Sequence, residues 1–159
     1  MRIALCDDDK AELLKVKQVL EAFINKNQSH EQISYRMFTE GDALLLSISR
    51  MGGYDLLILD VLMPGMNGIE LAAEIRCSNV DCKIIFLTSS PEFALNSYKV
   101  NAYSYLFKPI LASELEPLLD RALFELIKEK SASIVVKEPG KLTRIKIHTI
   151  QYVESIRHT

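Results

Sequence analysis

The run Asp55-Leu56-Leu57-Ile58-Leu59-Asp60 decides the fold of this 159-residue chain. Its four central residues are large and apolar, and no polar residue alternates between them. A strand that is buried on both faces has this composition, and such strands belong to parallel sheets that helices cover on both sides. The run therefore predicts an α/β protein built on a parallel sheet.

Four further strand-like segments flank this run and alternate with segments of helical periodicity. The predicted strands are residues 3–6, 33–38, 83–87 and 103–107, around the central strand at 55–60. The predicted helices cover residues 13–25, 41–48 and 69–75, and two more begin at Ser90-Pro91 and at Ser113, where Ser113 and Glu116 fit a capping box. Five repeats of strand and helix predict an open, doubly wound α/β sandwich with a five-stranded parallel sheet.

The pattern changes after about residue 131. Three short β-type segments follow at 134–136, 143–147 and 150–153, and a turn that contains Pro139 and Gly140 separates the first two. We therefore expect a short β-type C-terminal stub over residues 133–159. A segment of this size is too small to bury a hydrophobic core of its own.

The overall composition is that of an ordinary globular protein with a net charge of only −2. Such a balance does not indicate a nucleic-acid or membrane-surface partner for the chain as a whole. No apolar run approaches the ~20 residues of a membrane span, and the apolar stretch at the N-terminus is too short for a secretory signal. The three cysteines have no metal-type spacing, so we expect a cytoplasmic protein with reduced thiols.

Polar side chains stand where the predicted strands end. Asp7 and Asp8 follow the first strand, Asp60 ends the third, Thr88 ends the fourth and Lys108 ends the fifth. Because the carboxyl ends of parallel strands share one edge of the sheet, we expect these side chains to face one pocket. Clustered carboxylates recruit a cation, and all-oxygen ligands suit Mg²⁺. With the ion bound, an aspartate can act as a nucleophile toward a phosphoryl group, whose charge Lys108 and Thr88 would stabilise.

These residues resemble the receiver domain of two-component response regulators. The resemblance covers about residues 1–127 and includes Asp60-Val61-Leu62-Met63-Pro64-Gly65-Met66-Asn67-Gly68, Phe86-Leu87-Thr88-Ser89 and Tyr105-Leu106-Phe107-Lys108-Pro109. Each motif is weak alone, whereas all three in this order and at this spacing are specific. We therefore assign residues 1–130 to a receiver domain, and the resemblance implies the strand order 2-1-3-4-5.

The resemblance also implies a role for each acidic residue of the site. Asp60 would be the phospho-acceptor, and a sensor histidine kinase would be the phosphodonor. Asp8, Asp60 and the backbone carbonyl of Leu62 would bind Mg²⁺, and Asp7 would help through water. The chain is therefore expected to be a phospho-accepting signalling domain, with no enzymatic activity beyond its own phosphorylation and dephosphorylation.

By the same resemblance, Thr88 and Lys108 would contact the phosphoryl group. Tyr105 occupies the aromatic switch position three residues before Lys108, and its ring would turn inward as Thr88 moves toward the phosphate. That movement would remodel the face formed by the fourth helix, the fifth strand and the fifth helix. Members of the family commonly dimerise through this face, so we expect a homodimer on phosphorylation.

The C-terminal stub has a resemblance of its own. Residues 134–156 look like the opening of a LytTR-type DNA-binding domain, of which residues 133–159 would be about the first quarter. The natural partner of the full-length output domain would be DNA, and the whole protein would be a transcription regulator. Most of that domain would lie beyond this sequence, so we assign no DNA-contacting residue and expect no DNA binding by residues 133–159.

Two other classes of function fit part of the pattern. A haloacid-dehalogenase-type phosphatase would use Asp7, Asp9, Thr88 and Lys108, but Ala11 stands where that family has Thr or Val. The phosphatase pattern also lacks a downstream acidic pair and leaves the loop after Asp60 unexplained. A phosphate-independent interaction module is the other alternative, and the complete set of pocket residues argues against it.

Overall fold

The computed structural model describes residues 1–27, 32–78, 82–90, 100–131, 133–138 and 141–146. The chain divides into two compact units, Met1–Ala122 and Leu123–Thr159. The described elements, in chain order, are β1 (Arg2–Cys6), α1 (Lys10–Asn27), β2 (Ser34–Phe38), α2 (Gly41–Met51), β3 (Leu56–Asp60), α3 (Gly68–Cys77), β4 (Lys83–Thr88), β5 (Ser104–Phe107), α4 (Ala112–Ser131), β6 (Ser133–Glu138) and β7 (Lys141–Lys146). Here α4 is the fifth helix of the sequence prediction, because the helix predicted from Ser90-Pro91 falls on residues 91–99, outside the described residues.

The first unit is organised around a five-stranded parallel sheet. Its strand order is β2-β1-β3-β4-β5, which confirms the predicted fold. The register pairs Leu5 of β1 with Ile58 of β3, and Asp60 of β3 with Leu87 of β4. All five strands are parallel, so their carboxyl ends lie at one edge of the sheet. A polar residue at the end of one strand is therefore carried next to those at the ends of its neighbours.

The central strand β3 is buried along its whole length, as its apolar composition predicts. Leu57 and Leu59, which point to the same face, belong to a buried cluster with Leu44 of α2 and with Leu71 and Ile75 of α3. Each of these five side chains is completely excluded from solvent. Burial of a leucine or isoleucine contributes about 1.5–3 kcal/mol, so this cluster anchors β3 firmly beneath the edge that carries the polar residues.

Helix α1 begins at Lys10, three residues before the predicted start at Leu13. The carboxylate of Asp9 accepts a hydrogen bond of 2.7 Å from the backbone N–H of Ala11, and the backbone carbonyl of Asp9 accepts one of 3.0 Å from Leu13. Asp9 is therefore the N-cap of α1. The apolar periodicity starts later than the helix because the first turn faces solvent and contains no core residue.

The capping box predicted at Ser113 and Glu116 is wrong. Helix α4 begins one residue earlier, at Ala112, and the backbone N–H groups of Glu114 and Leu115 both donate to the carbonyl of Leu111. A residue inside the first turn cannot serve as the N-cap. A capping box is formed at α3 instead, where Asn67 Oδ1 accepts hydrogen bonds from the N–H groups of Ile69 and Glu70, while the Glu70 carboxylate accepts one of 3.1 Å from the Asn67 backbone N–H.

The described part of the second unit contains an antiparallel hairpin. Strands β6 and β7 pair from Ser133 opposite Lys146 to Glu138 opposite Lys141. The β character predicted for the first two segments of the stub is thereby confirmed, and the third predicted segment at 150–153 lies outside the described residues. Among the described ranges, no helix has both the length and the apolarity that a membrane span needs.

Candidate functional site

Three carboxylates meet at the carboxyl edge of the sheet. Asp7 directly follows β1, Asp8 comes next, and Asp60 is the last residue of β3. Each offers a ligand oxygen, and these oxygens lie within 4.8 Å of one another. Asp7 and Asp60 are each only 3% exposed, whereas Asp8 is exposed. The structure thus brings together the three acidic residues that were predicted from the sequence to form this site.

Lys108 places its ammonium group between the two buried carboxylates. Its Nζ lies 2.8 Å from Asp7 Oδ2 and 3.1 Å from Asp60 Oδ1. The backbone holds the residue in place, because the Lys108 N–H donates a 2.8 Å hydrogen bond to the carbonyl of Thr88 at the end of β4. The contact with Asp60 is an ion pair without the direction of a hydrogen bond, so Oδ1 of Asp60 keeps an unused acceptor position among the described residues.

Burial and charge act in opposite directions on the ionisation of this pocket. Burial raises the pKa of Asp60 above its usual range, and the nearby Asp7 adds to the rise, while Lys108 and the backbone N–H of Leu62 oppose it. For Lys108, burial disfavours the ammonium form, but Asp7 and Asp60 together outweigh that effect and raise its pKa. Lys108 therefore stays charged wherever the two carboxylates are ionised.

The donor set fits a hard divalent cation. Three carboxylates against one ammonium group leave two uncompensated negative charges, and like charges this close either shift their ionisation or bind a cation. All the candidate ligand atoms are oxygens, which Mg²⁺ prefers. The free acceptor position on the buried Asp60 Oδ1 is a further sign that this edge of the sheet is built for a charged ligand.

Gly68, the last residue of the motif that begins at Asp60, shapes the loop behind Asp60. A Cβ atom at Gly68 would lie 2.0 Å from the backbone oxygen of Asp60 and 2.9 Å from its carbonyl carbon. The Gly68 N–H also donates a 3.0 Å hydrogen bond to the carbonyl of Val61. The start of α3 can approach Asp60 this closely only because residue 68 has no side chain.

Thr88 and Tyr105, the two predicted switch residues, meet at the backbone of Ser90. Thr88 Oγ1 accepts a 3.1 Å hydrogen bond from the Ser90 N–H, and the Tyr105 hydroxyl donates a 3.2 Å hydrogen bond to the Ser90 carbonyl. Thr88 is fully buried, and burial is the main cause of the raised pKa of Tyr105. The Tyr105 ring also contacts the rings of Phe86 and Phe107, with centroids 6.2 Å and 5.5 Å away.

Comparison with known proteins agrees with this geometry. Residues 3–120 match the family model described as the response regulator receiver domain. Transcriptional regulatory protein RprY of Bacteroides fragilis is 32% identical over 145 residues, which are 90% of this chain and 58% of that protein. Transcriptional regulatory protein NatR of Bacillus subtilis is 30% identical over 148 residues, or 87% of this chain and 60% of the relative.

Solved structures support the same assignment. A CheY-like receiver domain from Methanospirillum hungatei is 28% identical, with a TM-score of 0.67 over 80% of this chain and 97% of that one. The BeF3-activated DrrB receiver domain, at 22% identity and a TM-score of 0.61 over 77% of this chain and 97% of that one, shares the fold.

The chain belongs to the response regulator receiver family. Its parallel sheet, with acidic residues at the carboxyl edge, agrees with this assignment. A receiver domain is a phospho-accepting signalling module, and it implies a histidine kinase as partner. This family assignment removes the basis for the phosphatase alternative. The chain spans only about three-fifths of the length of the two transcriptional regulators that it matches.

Proposed function

We propose that this chain is the phosphorylated switch of a two-component system, in which a sensor histidine kinase transfers a phosphoryl group to Asp60. The observation that carries the proposal is the environment of Asp60. Asp60 is 3% exposed, and its carboxylate lies 3.1 Å from the Lys108 ammonium and shares an acidic pocket with Asp7 and Asp8. An aspartate placed in this way is a nucleophile with its charge-stabilising groups already in position.

In the transfer, an oxygen of Asp60 forms a bond to phosphorus while the bond from phosphorus to the donor's histidine nitrogen breaks. The electron pair of that bond leaves with the imidazole. Lys108 neutralises charge on the phosphoryl oxygens, and its two ion pairs hold it ready for that role. A Mg²⁺ ion held by Asp8, Asp60 and the Leu62 carbonyl, with Asp7 acting through water, would add further neutralisation.

The switch would run through Thr88 and Tyr105. The Thr88 hydroxyl can donate a hydrogen bond to a phosphoryl oxygen, and movement of Thr88 toward that oxygen would disturb the hydrogen bond that Thr88 Oγ1 accepts from the Ser90 N–H. Because Tyr105 donates to the carbonyl of the same residue, its ring would respond to the displacement. Phosphorylation would then favour one of two states of the face around β5, through which we expect two copies to associate.

The output of the switch is proposed to be transcriptional control through a LytTR-type DNA-binding domain, acting in the cytoplasm. The similarity to proteins named as transcriptional regulatory proteins supports this role. The resemblance of residues 134–156 to the opening of a LytTR-type domain supports the type of output. Residues 133–159 would then be the first part of that domain, after a receiver domain at 1–130, and DNA binding would require the rest.

The proposal is tested by the intact mass of the protein before and after incubation with acetyl phosphate and Mg²⁺. We expect wild type to gain one phosphoryl group and Asp60→Asn to gain none, because the amide is a poor nucleophile. Asp55→Asn is the matched control, since Asp55 directly precedes β3, at the edge of the sheet opposite Asp60, and accepts a hydrogen bond from the Arg2 backbone N–H. An equal gain in wild type and Asp60→Asn would place the acceptor elsewhere and overturn the proposal.

The lifetime of the phosphorylated state is expected to depend on Leu62, two residues after Asp60. In receivers, two side chains flank the path of the water that hydrolyses the phosphoryl group. They stand two residues after the phospho-acceptor and two residues after the threonine, which are Leu62 and Ser90 in this chain. The Leu62 side chain is 43% exposed and apolar, so it hinders that water. We expect Leu62→Asn to shorten the half-life of phospho-Asp60 several-fold, as followed by intact mass over time.

Leu46→Asn provides the control for this measurement, because Leu46 of α2 is a similarly exposed leucine, at 49%, outside the acidic pocket. Its half-life should match that of wild type. A half-life of Leu62→Asn that is unchanged or longer would reject the role of Leu62.

A further inference from the structure

Arg76 binds two consecutive carbonyl groups far along the chain. It stands near the C-terminal end of α3, and its Nε donates a 3.0 Å hydrogen bond to the carbonyl of Val100. Its Nη2 donates a 3.3 Å hydrogen bond to the carbonyl of Asn101, and its Nη1 lies 3.6 Å from the Sγ of Cys82, the residue directly before β4. One guanidinium group thus joins α3, the start of β4 and the segment that enters β5.

Residues 100–103, which we call the β5 connector, need such a partner. Val100 is 5% exposed within the core cluster, and Asn101 has a φ of 50°, in the left-handed region that few non-glycine residues adopt. A backbone in this conformation interrupts regular pairing, so the carbonyl of the buried Val100 needs a donor from another element. The next backbone link is the Tyr103 N–H, which donates a 2.7 Å hydrogen bond to the Ile84 carbonyl of β4.

The two ends of α3 contact the two parts of the proposed switch. At its N-terminal end, Gly68 lies against the backbone carbonyl of Asp60 and donates to Val61. At its C-terminal end, Arg76 holds the β5 connector at Val100 and Asn101, and Asn101 lies three residues before the first residue of β5. Helix α3 therefore forms a continuous link from the phosphorylation loop to the strand that carries Tyr105.

We propose that Arg76 is a positioning residue of the switch: by clamping the β5 connector to α3, it holds β5 where the Tyr105 hydroxyl reaches the Ser90 carbonyl. This inference rests on the proposed function, because only there is Tyr105 a residue of the switch. A planar guanidinium suits the task because its fixed fork of donors reaches two neighbouring carbonyls at once, which a lysine ammonium cannot match.

The experiment compares amide hydrogen exchange of the unphosphorylated protein in wild type, Arg76→Gln and Arg76→Lys. We expect Arg76→Gln to raise exchange of the β5 amides about tenfold, because the released connector lets the Tyr105 hydroxyl lose its hydrogen bond to the Ser90 carbonyl, while β1 and β3 amides keep their protection. Arg76→Lys should restore part of the protection. Arg36→Gln, the same change at an exposed position on β2, should leave β5 as in wild type.

A double-mutant cycle with Tyr105→Phe separates positioning of the switch from general support of the strand. If Arg76 acts through the Tyr105 hydroxyl, Arg76→Gln should add little to the β5 exchange already raised by Tyr105→Phe. Fully additive effects, unchanged β5 exchange, or an equal rise across β1, β3 and β5 would each overturn the proposal. Because no phosphate is involved, failure of Asp60 to be phosphorylated would overturn the proposed function without deciding this test.

Discussion

Replacement of Lys108 by methionine is expected to lower the rate of Asp60 phosphorylation by acetyl phosphate about 100-fold, the usual cost of removing one pre-positioned charge-stabilising group. Methionine keeps much of the length and apolar surface of the lysine stem and removes only the ammonium group. That group lies 2.8 Å from Asp7 and 3.1 Å from Asp60, at the position where phosphoryl oxygens would carry negative charge in the transition state. The rate is measured by intact mass against time at a saturating Mg²⁺ concentration.

The same variant should bind Mg²⁺ more tightly than wild type. Removal of the ammonium leaves Asp7 and Asp60 without their cationic partner, so a divalent ion gains more from binding in the acidic pocket. Tighter Mg²⁺ binding together with slower phosphorylation would show that the variant is folded and that Lys108 acts on the phosphoryl group. This combination separates a chemical role from simple loss of structure.

Lys15→Met is the matched control, because Lys15 lies on α1, is 58% exposed in its side chain and pairs with Glu12 rather than with the acidic pocket. Its phosphorylation rate should equal that of wild type. A Lys108→Met rate within about threefold of wild type would contradict the assignment, since a group in direct contact with the transferring phosphoryl contributes far more than that.

Gly68→Ala is expected to destabilise the protein by about 3 kcal/mol or more, a cost at the upper end of that seen for overpacked sites. The new methyl group would lie 2.0 Å from the Asp60 oxygen, 2.9 Å from the Asp60 carbonyl carbon and 3.1 Å from Val61 Cα. All three atoms belong to the backbone, so no side chain can turn away to make room. The loop behind Asp60 or the start of α3 must move instead.

Thermal unfolding followed by circular dichroism measures this effect, and the midpoint should fall by roughly 10 °C. Gly41→Ala is the control, since Gly41 is also buried at the start of a helix, but its nearest neighbours are side-chain atoms at 3.5 Å and 3.6 Å. That change should leave the midpoint close to wild type. Equal midpoints for the two variants would show that the approach of α3 to Asp60 is looser than the structure indicates.

Much of the fold could be predicted because its signals are local. The unbroken apolar run of β3 requires burial on both faces, and that requirement alone leads to a parallel sheet covered by helices. The boundaries were less predictable. Apolar spacing predicts that α1 starts at Leu13 because it reports which residues face the core, whereas the helix starts earlier, where Asp9 caps it.

The difference between the predicted capping box at Ser113 and the observed one at Asn67 has a similar cause. Ser113 and Glu116 have the right types at the right spacing, but the carbonyl of Leu111 accepts the first helical hydrogen bonds and leaves Ser113 inside α4. Asn67 and Glu70 show the same spacing and form the box at α3. The sequence carries both patterns, and only the path of the backbone entering each helix decides which pair closes.

The sequence by itself determined the class of fold, the family and the candidate residues of the site, because acids, a threonine and a lysine at successive strand ends converge in any parallel sheet. Only the tertiary structure decided that Gly68 must lack a side chain beside Asp60 and that Arg76 binds the carbonyls of Val100 and Asn101. Gly68 approaches Asp60 because the loop between them turns back, and Arg76 reaches the carbonyls of Val100 and Asn101 from a distant part of the chain. Such approaches depend on how packed elements meet in space, and no periodicity or spacing along the sequence encodes that distance.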